Sequence, residues 1–589
     1  MDGEPAGESE LGALMGATLS DQLTEAMRAA VVAANFPVDC VLESVVPCGN
    51  ASHGDFQSNV AFRLGKAAKM SPRDVATRLV AALDAGDLIA SADVAGPGFI
   101  NLRLRDETVA RDVVARNCVD LGTPHDGAGK TLVIDYSSPN VAKRMHVGHL
   151  RSTVIGNALD RMHRFLGWKV IADNHIGDWG TQFGKLIVAW ERWRNEIAFK
   201  ADAIAELQRL YQKFGVEEKT DASLTDLARS RTAALQAGDE ASRVLWRDFV
   251  DRSLVEFDSC YRRLGVHFDV MNGESFYEPR LASLVDELLA SGVAEVDAGA
   301  VLVRFSAEDG PGLGEGPLLI RKSDGAVLYG ATDIATFEHR RQTWSPDLIL
   351  YVVDGRQALH FAQLFATVKR LGWSTRSVHL GFGLLRLPGG DVASTKKGTV
   401  VNLVDVLDTA VQRARAVVDE RSEGLSEAER AAVAEAVGVG ALKYFDLSQN
   451  PTSDITFDWD RSLALDGNTA PYLMYAHARC CSLLRRSAAA GLFPGPVLLE
   501  HPAERELAIL LCRFPDIIRA SASNFRPNIL CEHLYATTGA FSRFWEHCRV
   551  LGTDIPAEIA ASRLTVVGCT GNALRAGLSL LGIDAVERM

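Results

Sequence analysis

The stretch from Asp135 to Asp178 constrains the fold of this chain more than any other. Before it, TLVID at 131–135 is apolar and β-branched, as in a buried strand. After His146, apolar residues recur at helical spacing until Gly167 interrupts them. The segment 137–145 is therefore a predicted strand-to-helix turn, and such turns are where open α/β sheets bind their ligands.

Two histidines, His146 and His149, stand at the start of the predicted helix and face the same side of it. A helix N-terminus attracts phosphate, and the imidazoles add hydrogen-bond donors there. Gly148, between them, lacks the Cβ that would keep a flat base away from the backbone. The pattern predicts a nucleotide site. A metal pair is the alternative, but no third ligand follows at a zinc spacing.

Length and composition indicate a soluble protein of several domains. The 589 residues correspond to about three or four domains. The net charge of −13 concerns solubility and leaves an RNA partner open, because phosphate contact needs only a local basic face. The acidic start lacks the layout of a signal peptide, and no run has the length of a membrane span. Ten cysteines without a C-x-x-C pair indicate reduced thiols, and we expect a cytoplasmic protein.

The pattern along the chain changes at two places. Residues 1–120 are predicted to form a small α+β unit, and residues 121–455 a mostly α/β unit with a polar helical insertion at about 190–300. Residues 456–589 are predicted to be all helical. Within the central unit, residues 301–330 have a hairpin pattern, and 347–353 and 377–387 are predicted strands.

The HVGH sequence at 146–149 resembles the HIGH signature of class I aminoacyl-tRNA synthetases. With SSPNVAKRMHVGHLRST at 137–153 and NHIGDWGTQFGKLI at 174–187, the chain resembles arginyl-tRNA synthetases over essentially its whole length. The resemblance implies a Rossmann-type catalytic domain with a helical insertion, an N-terminal domain that touches the tRNA elbow and a helical anticodon-binding domain. It implies activation of L-arginine by ATP, release of pyrophosphate and transfer of arginine to the 3′ end of its tRNA.

Activation requires donors and cations around the phosphates rather than a covalent nucleophile. Class I enzymes use a mobile KMSKS loop, and the matching segment here, 394–398, reads STKKG and lacks the first lysine. The resemblance implies that Lys143, just before the HVGH sequence, substitutes for it. The implied catalytic residues are His146, His149, Lys143, Lys396 and Lys397. The implied ATP-binding residues are Gly148, Gly355, His360, Gly383, Leu384 and Thr395, with Mg²⁺ carried by the ATP.

Arginine recognition calls for carboxylates in the plane of the guanidinium. The resemblance assigns this role to Glu274, expected on a turn, and to Asp333, which shares one face of a starting helix with Tyr329. It places Asn140 and Gln357 at the α-amino end, with Asp135 as a weaker candidate. A surface turn for Glu274 and a helix-terminal charge for Asp333 are the structural alternatives.

The residues implied to bind tRNA lie at both ends of the chain. In the N-terminal unit they are Phe99 and Asn101, which would stack on and hydrogen-bond a loop base. In the helical unit aromatic side chains would stack the anticodon bases. For each of these residues core packing is the alternative. The residues implied there are Tyr472, Tyr475, Trp545 and Met589.

Other functions remain open at the level of sequence. The same site could serve an adenylate-forming nucleotidyltransferase that does not use tRNA, although the two flanking units argue against this. A catalytically idle RNA-binding paralogue is disfavoured because His146, His149, Lys143 and Lys396 are present. An active paralogue with a biosynthetic or resistance role is harder to exclude. No obvious dimer seam is present, so we expect a monomer.

Overall fold

The computed structural model describes residues 17–37, 45–49, 52–386, 401–421 and 424–589. The N-terminal unit is an antiparallel sheet of order β1-β2-β4-β3 covered by helices. Thr18 closes a capping box at the start of the first helix, and Ser71 caps the third. The elements are α1 (Leu19–Ala33), β1 (Val46–Pro47), β2 (Phe56–Ser58), α2 (Val60–Ala68), α3 (Pro72–Ala82), β3 (Ile89–Ala95), β4 (Phe99–Leu104) and α4 (Asp106–Ala115).

The central unit opens with the predicted strand, turn and helix. The helix ends at Phe165 with Leu166 as its C-cap, and Gly167 follows at a positive φ of 84°. A run of helices then forms the insertion. The elements are β5 (Thr131–Asp135), α5 (Val147–Phe165), β6 (Lys169–Asp173), α6 (Thr181–Trp193), α7 (Glu196–Ala201), α8 (Ala203–Glu217), α9 (Ser223–Ala237) and α10 (Glu240–Arg263).

The second half of the central unit returns to the sheet. Helix α11 (Glu274–Ala290) begins at Glu274, where the sequence predicts a turn. Gly273 precedes it in an extended conformation, and Asp178 accepts hydrogen bonds from the first helical turn. The hairpins predicted at 301–330 form a small antiparallel sheet. The remaining elements are β7 (Glu295–Asp297), β8 (Ala300–Val303), β9 (Leu318–Arg321), α12 (Tyr329–Trp344), β10 (Leu348–Asp354), α13 (Ala358–Arg370), β11 (Arg376–Phe382) and β12 (Leu385–Arg386).

The catalytic sheet is parallel, with strand order β11-β10-β5-β6. Strand β10 pairs with β5 although more than two hundred residues separate them, because the chain leaves the sheet after β6 and returns to it at β10, on the other side of β5. The sheet order reverses beside β5, and the carboxyl end of that position is where a doubly wound sheet opens a crevice. The turn 137–145 lies at this end.

The C-terminal part is helical apart from the two-residue strand β13 (Ile455–Thr456), which pairs with β12. Its helices pack on one another and on α5. No helix within the described ranges is both long and apolar enough to cross a membrane. The helices are α14 (Leu403–Arg421), α15 (Glu427–Leu447), α16 (Trp459–Ser462), α17 (Ala470–Ala489), α18 (Pro502–Ser523), α19 (Pro527–His547) and α20 (Ala557–Leu580).

Two cations, Arg161 on α5 and Lys443 on α15, bind the ends of two distant helices. Arg161, on α5, donates to the carbonyls of Gly265 at 2.8 Å and Ser579 at 3.2 Å. The fully buried Lys443 donates to the carbonyls of Leu264, at 2.5 Å, and Gly582. The C-terminal ends of α10 and α20 are therefore held side by side by α5, the helix that begins at the histidine pair, and by α15.

Candidate active site

The histidine pair caps its own helix. Nδ1 of His146 accepts from the backbone N–H of Gly148 at 3.0 Å, and Nδ1 of His149 accepts from the backbone N–H of His146 at 3.1 Å. The ring centroids lie 3.9 Å apart. Because both Nδ1 atoms are acceptors, each neutral ring carries its proton on Nε2. The pair therefore offers two Nε2–H donors at a helix N-terminus.

Both rings are held in the neutral form. Burial, together with the charge of Lys143, lowers the pKa of His146. Burial and the neighbouring His146 lower the pKa of His149 to about 3. Gly148 has a second role beyond the one expected, because a Cβ there would stand 2.7 Å from Cε1 of His146 and displace the ring.

A cleft of about 210 Å³ opens beside the pair at the carboxyl ends of β5, β10 and β11. Arg151, which is buried, donates to the carbonyls of Gly383 and Ser453 and pairs with Asp446 at 3.0 Å. It thereby holds the Gly383 backbone at the wall of the cleft. The sequence-predicted residues that line this cleft are His146, Gly148, His149, Gln357, Gly383 and Leu384.

The predicted ATP residues Gly355 and His360 do not line this cleft. Gly355 packs against β11, where a Cβ would stand 3.3 Å from the carbonyl oxygen of Phe382. His360 turns toward the predicted arginine pocket, with Nε2 2.5 Å from Oδ2 of Asp333 and its ring 4.9 Å from that of Tyr329. Its contacts thus place it on the amino-acid side.

The two carboxylates predicted to bind the guanidinium, Glu274 and Asp333, are near enough for the charge of Asp333 to affect Glu274. Burial, with repulsion from Asp178 and Asp333 and opposed by the charge of His175, raises the pKa of Glu274 to about 7. A buried acidic group with a second carboxylate nearby is stabilised in its charged form by an incoming cation. Tyr329, by contrast, is 62% exposed, so the pocket is open on its side.

Asp135 is already paired. Its carboxylate accepts from Arg340 Nη2 at 2.7 Å and from Ser138 Oγ at 3.0 Å, and Arg340 also donates to Asp173 at 3.0 Å. This trio carries a net charge of −1 when both carboxylates are ionised. Asp135 therefore belongs to a buried ion cluster with Arg340 and Asp173.

Asn140 occupies the other side of the turn and is exposed. Its neighbour Val141 donates to the carbonyl of Gly177 at 3.1 Å. A Cβ at Gly177 would stand 2.2 Å from Oδ1 of Asn140, so only glycine leaves room for this amide. Gln357 is exposed at the mouth of the cleft.

The N-terminal residues predicted to bind tRNA are partly engaged. Phe99 is half-buried, and its ring meets that of Phe62 edge to face at 4.9 Å. Asn101 is buried and its Oδ1 accepts from Gln57 Nε2 at 2.8 Å. Phe99 keeps one accessible face, whereas the Asn101 side chain faces its neighbouring strand.

The predicted tRNA residues of the helical part fall into two groups. Arg479 lies between two of them, its Cζ 4.1 Å from the ring of Trp545 and 5.6 Å from that of Tyr475, which is 45% exposed. Tyr472 is half-buried and its hydroxyl lies 3.2 Å from Oγ of Ser542. Met589 is also half-buried and packs against the core.

Several residues escaped sequence reasoning. Arg151 and Arg340 are buried ion-pair partners of residues far away in the chain, and Arg144 pairs with Asp202 and Glu256 of the insertion. Among the members of these ion pairs, only Asp173, a partner of Arg340, could have been identified from the sequence, because it ends β6 as Asp135 ends β5. The predicted Thr395, Lys396 and Lys397 lie outside the described residues.

Comparison with known protein families decides what this site belongs to. The family model described as "tRNA synthetases class I (R), catalytic domain" matches residues 115–459, more than half of the chain. The chain belongs to the arginyl-tRNA synthetase family. On either side, residues 17–104 match "Arginyl tRNA synthetase N terminal domain" and residues 473–589 match "DALR anticodon binding domain".

Relatives of this synthetase cover nearly the whole chain. The arginine–tRNA ligase of Fusobacterium nucleatum is 42% identical over 92% of this chain and 94% of its own length. That of Escherichia coli O157:H7 is 39% identical over 96% and 99%. Among solved structures, Plasmodium falciparum arginyl-tRNA synthetase aligns with a TM-score of 0.81 at 26% identity, covering 97% of this chain and 99% of that chain.

The Thermus thermophilus arginyl-tRNA synthetase shares the fold, with a TM-score of 0.82 at 24% identity over 97% of this chain and 100% of that one. These matches confirm the predicted fold class, a Rossmann-type class I catalytic domain with an N-terminal domain and a helical anticodon-binding domain. They also confirm the predicted activity: the chain is an arginine–tRNA ligase, a class I aminoacyl-tRNA synthetase that charges tRNA with arginine in translation.

Proposed function

We propose that this chain activates L-arginine with ATP and transfers it to the 3′ end of its tRNA, for use in translation. The observation that carries the proposal is the neutral histidine pair, whose two Nε2–H donors stand at a helix N-terminus beside a cleft at the sheet crevice. In this reaction the arginine carboxylate attacks the α-phosphorus and pyrophosphate leaves. Donors aimed at the phosphoryl oxygens stabilise the charge that develops there.

In the nucleotide half, His146 and His149 donate to the phosphates, and Gly148 lets the base approach the backbone. Gly383 and Leu384 form the opposite wall, with Gly355 supporting it from beneath. The flanks of the lysine-bearing segment support its role: Leu385 lines the cleft, and Val147 donates to the carbonyl of Val401 at 3.1 Å. Lys143, Thr395, Lys396 and Lys397 act on the pyrophosphate, and Mg²⁺ comes with the ATP.

In the amino-acid half, Glu274 and Asp333 receive the guanidinium, and His360 holds Asp333. Tyr329 covers the open side of the pocket. Asn140 and Gln357 hold the α-amino end, with Asp135, already paired with Arg340, as the weaker candidate. A site built from paired carboxylates rejects citrulline, because its acceptors would be left unpaired.

The tRNA contacts are proposed for the two outer units. Phe99 and Asn101 meet the elbow, and Tyr475, Trp545, Tyr472 and Met589 meet the anticodon, where the exposed ring of Tyr475 supports stacking. We place the domain boundaries at 1–120, 121–455 and 456–589. A monomer acting in the cytoplasm fits this role.

Arginine-dependent ATP–pyrophosphate exchange, with and without total tRNA, tests the proposal. We expect exchange with arginine and none with citrulline or lysine. Exchange with a different amino acid would contradict the pocket, and exchange absent under all conditions would favour an idle RNA-binding paralogue. Aminoacylation of tRNA then separates this chain from a nucleotidyltransferase that does not use tRNA.

A further inference from the structure

The turn that carries the active-site lysine is strained. Ser137, Ser138 and Ala142 adopt positive φ values of 74°, 48° and 63°, in a region that side chains with a Cβ rarely occupy. Such conformations persist only where the surroundings hold them. The geometry of 137–144 therefore depends on what packs around it.

The helical insertion supplies much of that support. The buried Ser253 of α10 accepts from the backbone N–H of Ala142 at 3.0 Å. Tyr261, on the same helix, places its hydroxyl 2.8 Å from Oγ of Ser137. Two of the three strained residues are thus fixed by a helix that lies outside the catalytic sheet.

The insertion also holds both cations of the turn. Lys143 Nζ lies 5.0 Å from the ring centroid of Tyr211 on α8. Arg144 pairs with Asp202, which caps the start of α8, and lies 3.8 Å from Glu256 on α10. The insertion therefore contacts both neighbouring cations of the turn. Carboxylates bind Arg144, and an aromatic ring face lies against Lys143.

An aromatic face and a carboxylate have different consequences for a cation. A carboxylate would occupy the ammonium donors of Lys143, whereas a ring face attracts the ammonium and leaves its N–H groups available to another ligand. Lys143 is close enough to the histidine pair for its charge to affect His146. Arg144, in contrast, is committed to the insertion and anchors the backbone beside Lys143.

We infer that the helical insertion is part of the active site: Tyr211 and the Asp202–Arg144–Glu256 clamp are positioning elements that hold Lys143 toward the triphosphate. This rests on the proposed role of Lys143 in activation. If the contacts only attached the insertion to the sheet, their loss would change stability and leave the balance between kcat and KM unchanged.

Replacement of the Tyr211 ring tests whether that ring positions Lys143. Tyr211→Leu removes the aromatic face and Tyr211→Phe keeps it. We expect Tyr211→Leu to lower kcat of ATP–pyrophosphate exchange about two- to fivefold, the size of a partly exposed cation–π contact. Tyr211→Phe should stay near wild type, and KM for arginine should not change in either variant. Equal rates for Tyr211→Leu and wild type would overturn the role of the ring.

The clamp is tested by charge reversal. Arg144→Glu should lower kcat about tenfold or more, and Asp202→Arg in the same chain should restore part of it, because the pair is re-formed with opposite signs. Arg194→Ala is the matched control: Arg194 also pairs with a carboxylate, Glu196, and lies over a ring, Trp190, but away from the turn. Its kcat should equal wild type.

Variants made in the Lys143→Ala background separate the proposed role of Lys143 in activation from its positioning by the insertion. There, Tyr211→Leu and Arg144→Glu should cause little further loss, since the group they position is absent. Full additivity would show that they act on folding instead. If Lys143→Ala itself kept normal exchange, the proposed function of Lys143 would fail. If Lys143→Ala were inactive while the insertion variants behaved as wild type, the positioning inference alone would fail.

Discussion

Nε2 of His360 lies 2.5 Å from Oδ2 of Asp333, so a residue predicted to contact ATP is bonded to a carboxylate predicted to bind arginine. His360 sits on α13, directly after the segment that lines the cleft, and Asp333 lies one turn into α12. The pair therefore lies in the predicted arginine pocket, and the residues just before His360 line the predicted nucleotide cleft.

Loss of the His360 imidazole should weaken the binding of arginine more than the binding of ATP. We expect His360→Ala to raise KM for arginine about tenfold, because Asp333 loses the donor that orients it, and to change KM for ATP little. Steady-state exchange kinetics with each substrate varied in turn measure both values. A rise confined to KM for ATP would contradict this prediction and favour the assignment of His360 to ATP binding.

The capping role of His146 can be separated from its proposed donor role. Asparagine keeps an acceptor at the Nδ1 position but has no counterpart of Nε2–H. His146→Asn should therefore retain the fold and lower the exchange rate about a hundred- to thousandfold. His501 provides the control, because it caps α18 by the same geometry, accepting from Ala503 at 3.1 Å. His501→Ala should lose stability, by about 0.5–2 kcal/mol, and keep its exchange rate.

Arginine binding should depend on pH through Glu274. Its usual pKa of 4.5 rises to about 7 in the folded protein, so below pH 7 the carboxyl is mainly protonated and meets the guanidinium without charge. Affinity for arginine should therefore increase as pH rises through about 7. The free energy of unfolding of the unliganded protein should fall as the pH rises from about 4.5 to 7, because the folded state binds more protons than the unfolded state in this range.

Glu274→Gln should flatten both dependences. Calorimetric titration of arginine and thermal unfolding, each from pH 5.5 to 8.5, measure them. An unchanged pH dependence of arginine affinity in Glu274→Gln would contradict the assignment of this carboxyl to the guanidinium.

Gly177 offers a steric test of the α-amino end. The added methyl in Gly177→Ala would meet Oδ1 of Asn140 at 2.2 Å and push the amide away, so KM for arginine should rise at least tenfold. Gly215→Ala is the control, since a methyl added there would have nothing within 4 Å and the residue sits inside α8. That variant should bind arginine normally and gain about 0.5–1 kcal/mol in stability. Arginine binding by Gly177→Ala at wild-type affinity would remove Asn140 from the pocket.

The buried pair Arg151–Asp446 predicts a large effect on stability. Asp446→Ala leaves the guanidinium buried without its partner and should cost about 3–5 kcal/mol in the free energy of unfolding. Arg151→Met with Asp446→Leu replaces both charges by apolar groups and should recover much of this loss. Chemical denaturation of the variants measures both values, and a loss below about 1 kcal/mol for Asp446→Ala would contradict the prediction.

Local patterns allow the centre of the site to be predicted. The apolar run of β5, the histidine pair and the period of α5 lie within forty residues, so the strand, the turn and the cap follow from neighbours in sequence. The start of α12 at Tyr329 is predictable for the same reason. The sequence favours a turn at Glu274 because nothing local shows that Asp178 supports the first turn of α11.

The residues that sequence reasoning misses depend on distant partners. Arg151 meets Asp446 across 295 positions, and Arg340 meets Asp135 across 205. Nothing in the sequence around either arginine differs from that of a solvated helix. Tyr211 is likewise hidden, because its relation to Lys143 exists only once the insertion has folded back over the turn.

Arg161 on α5 and Lys443 on α15 each bind the C-terminal ends of both α10, a helix of the insertion, and α20, the final helix. A catalytic fragment cut out at its sequence boundaries would expose two cations, each of which had lost an acceptor with the discarded C-terminal piece. The three parts of this chain match separate family models, but they complete each other's hydrogen bonds. A dissection experiment should therefore begin from the intact chain.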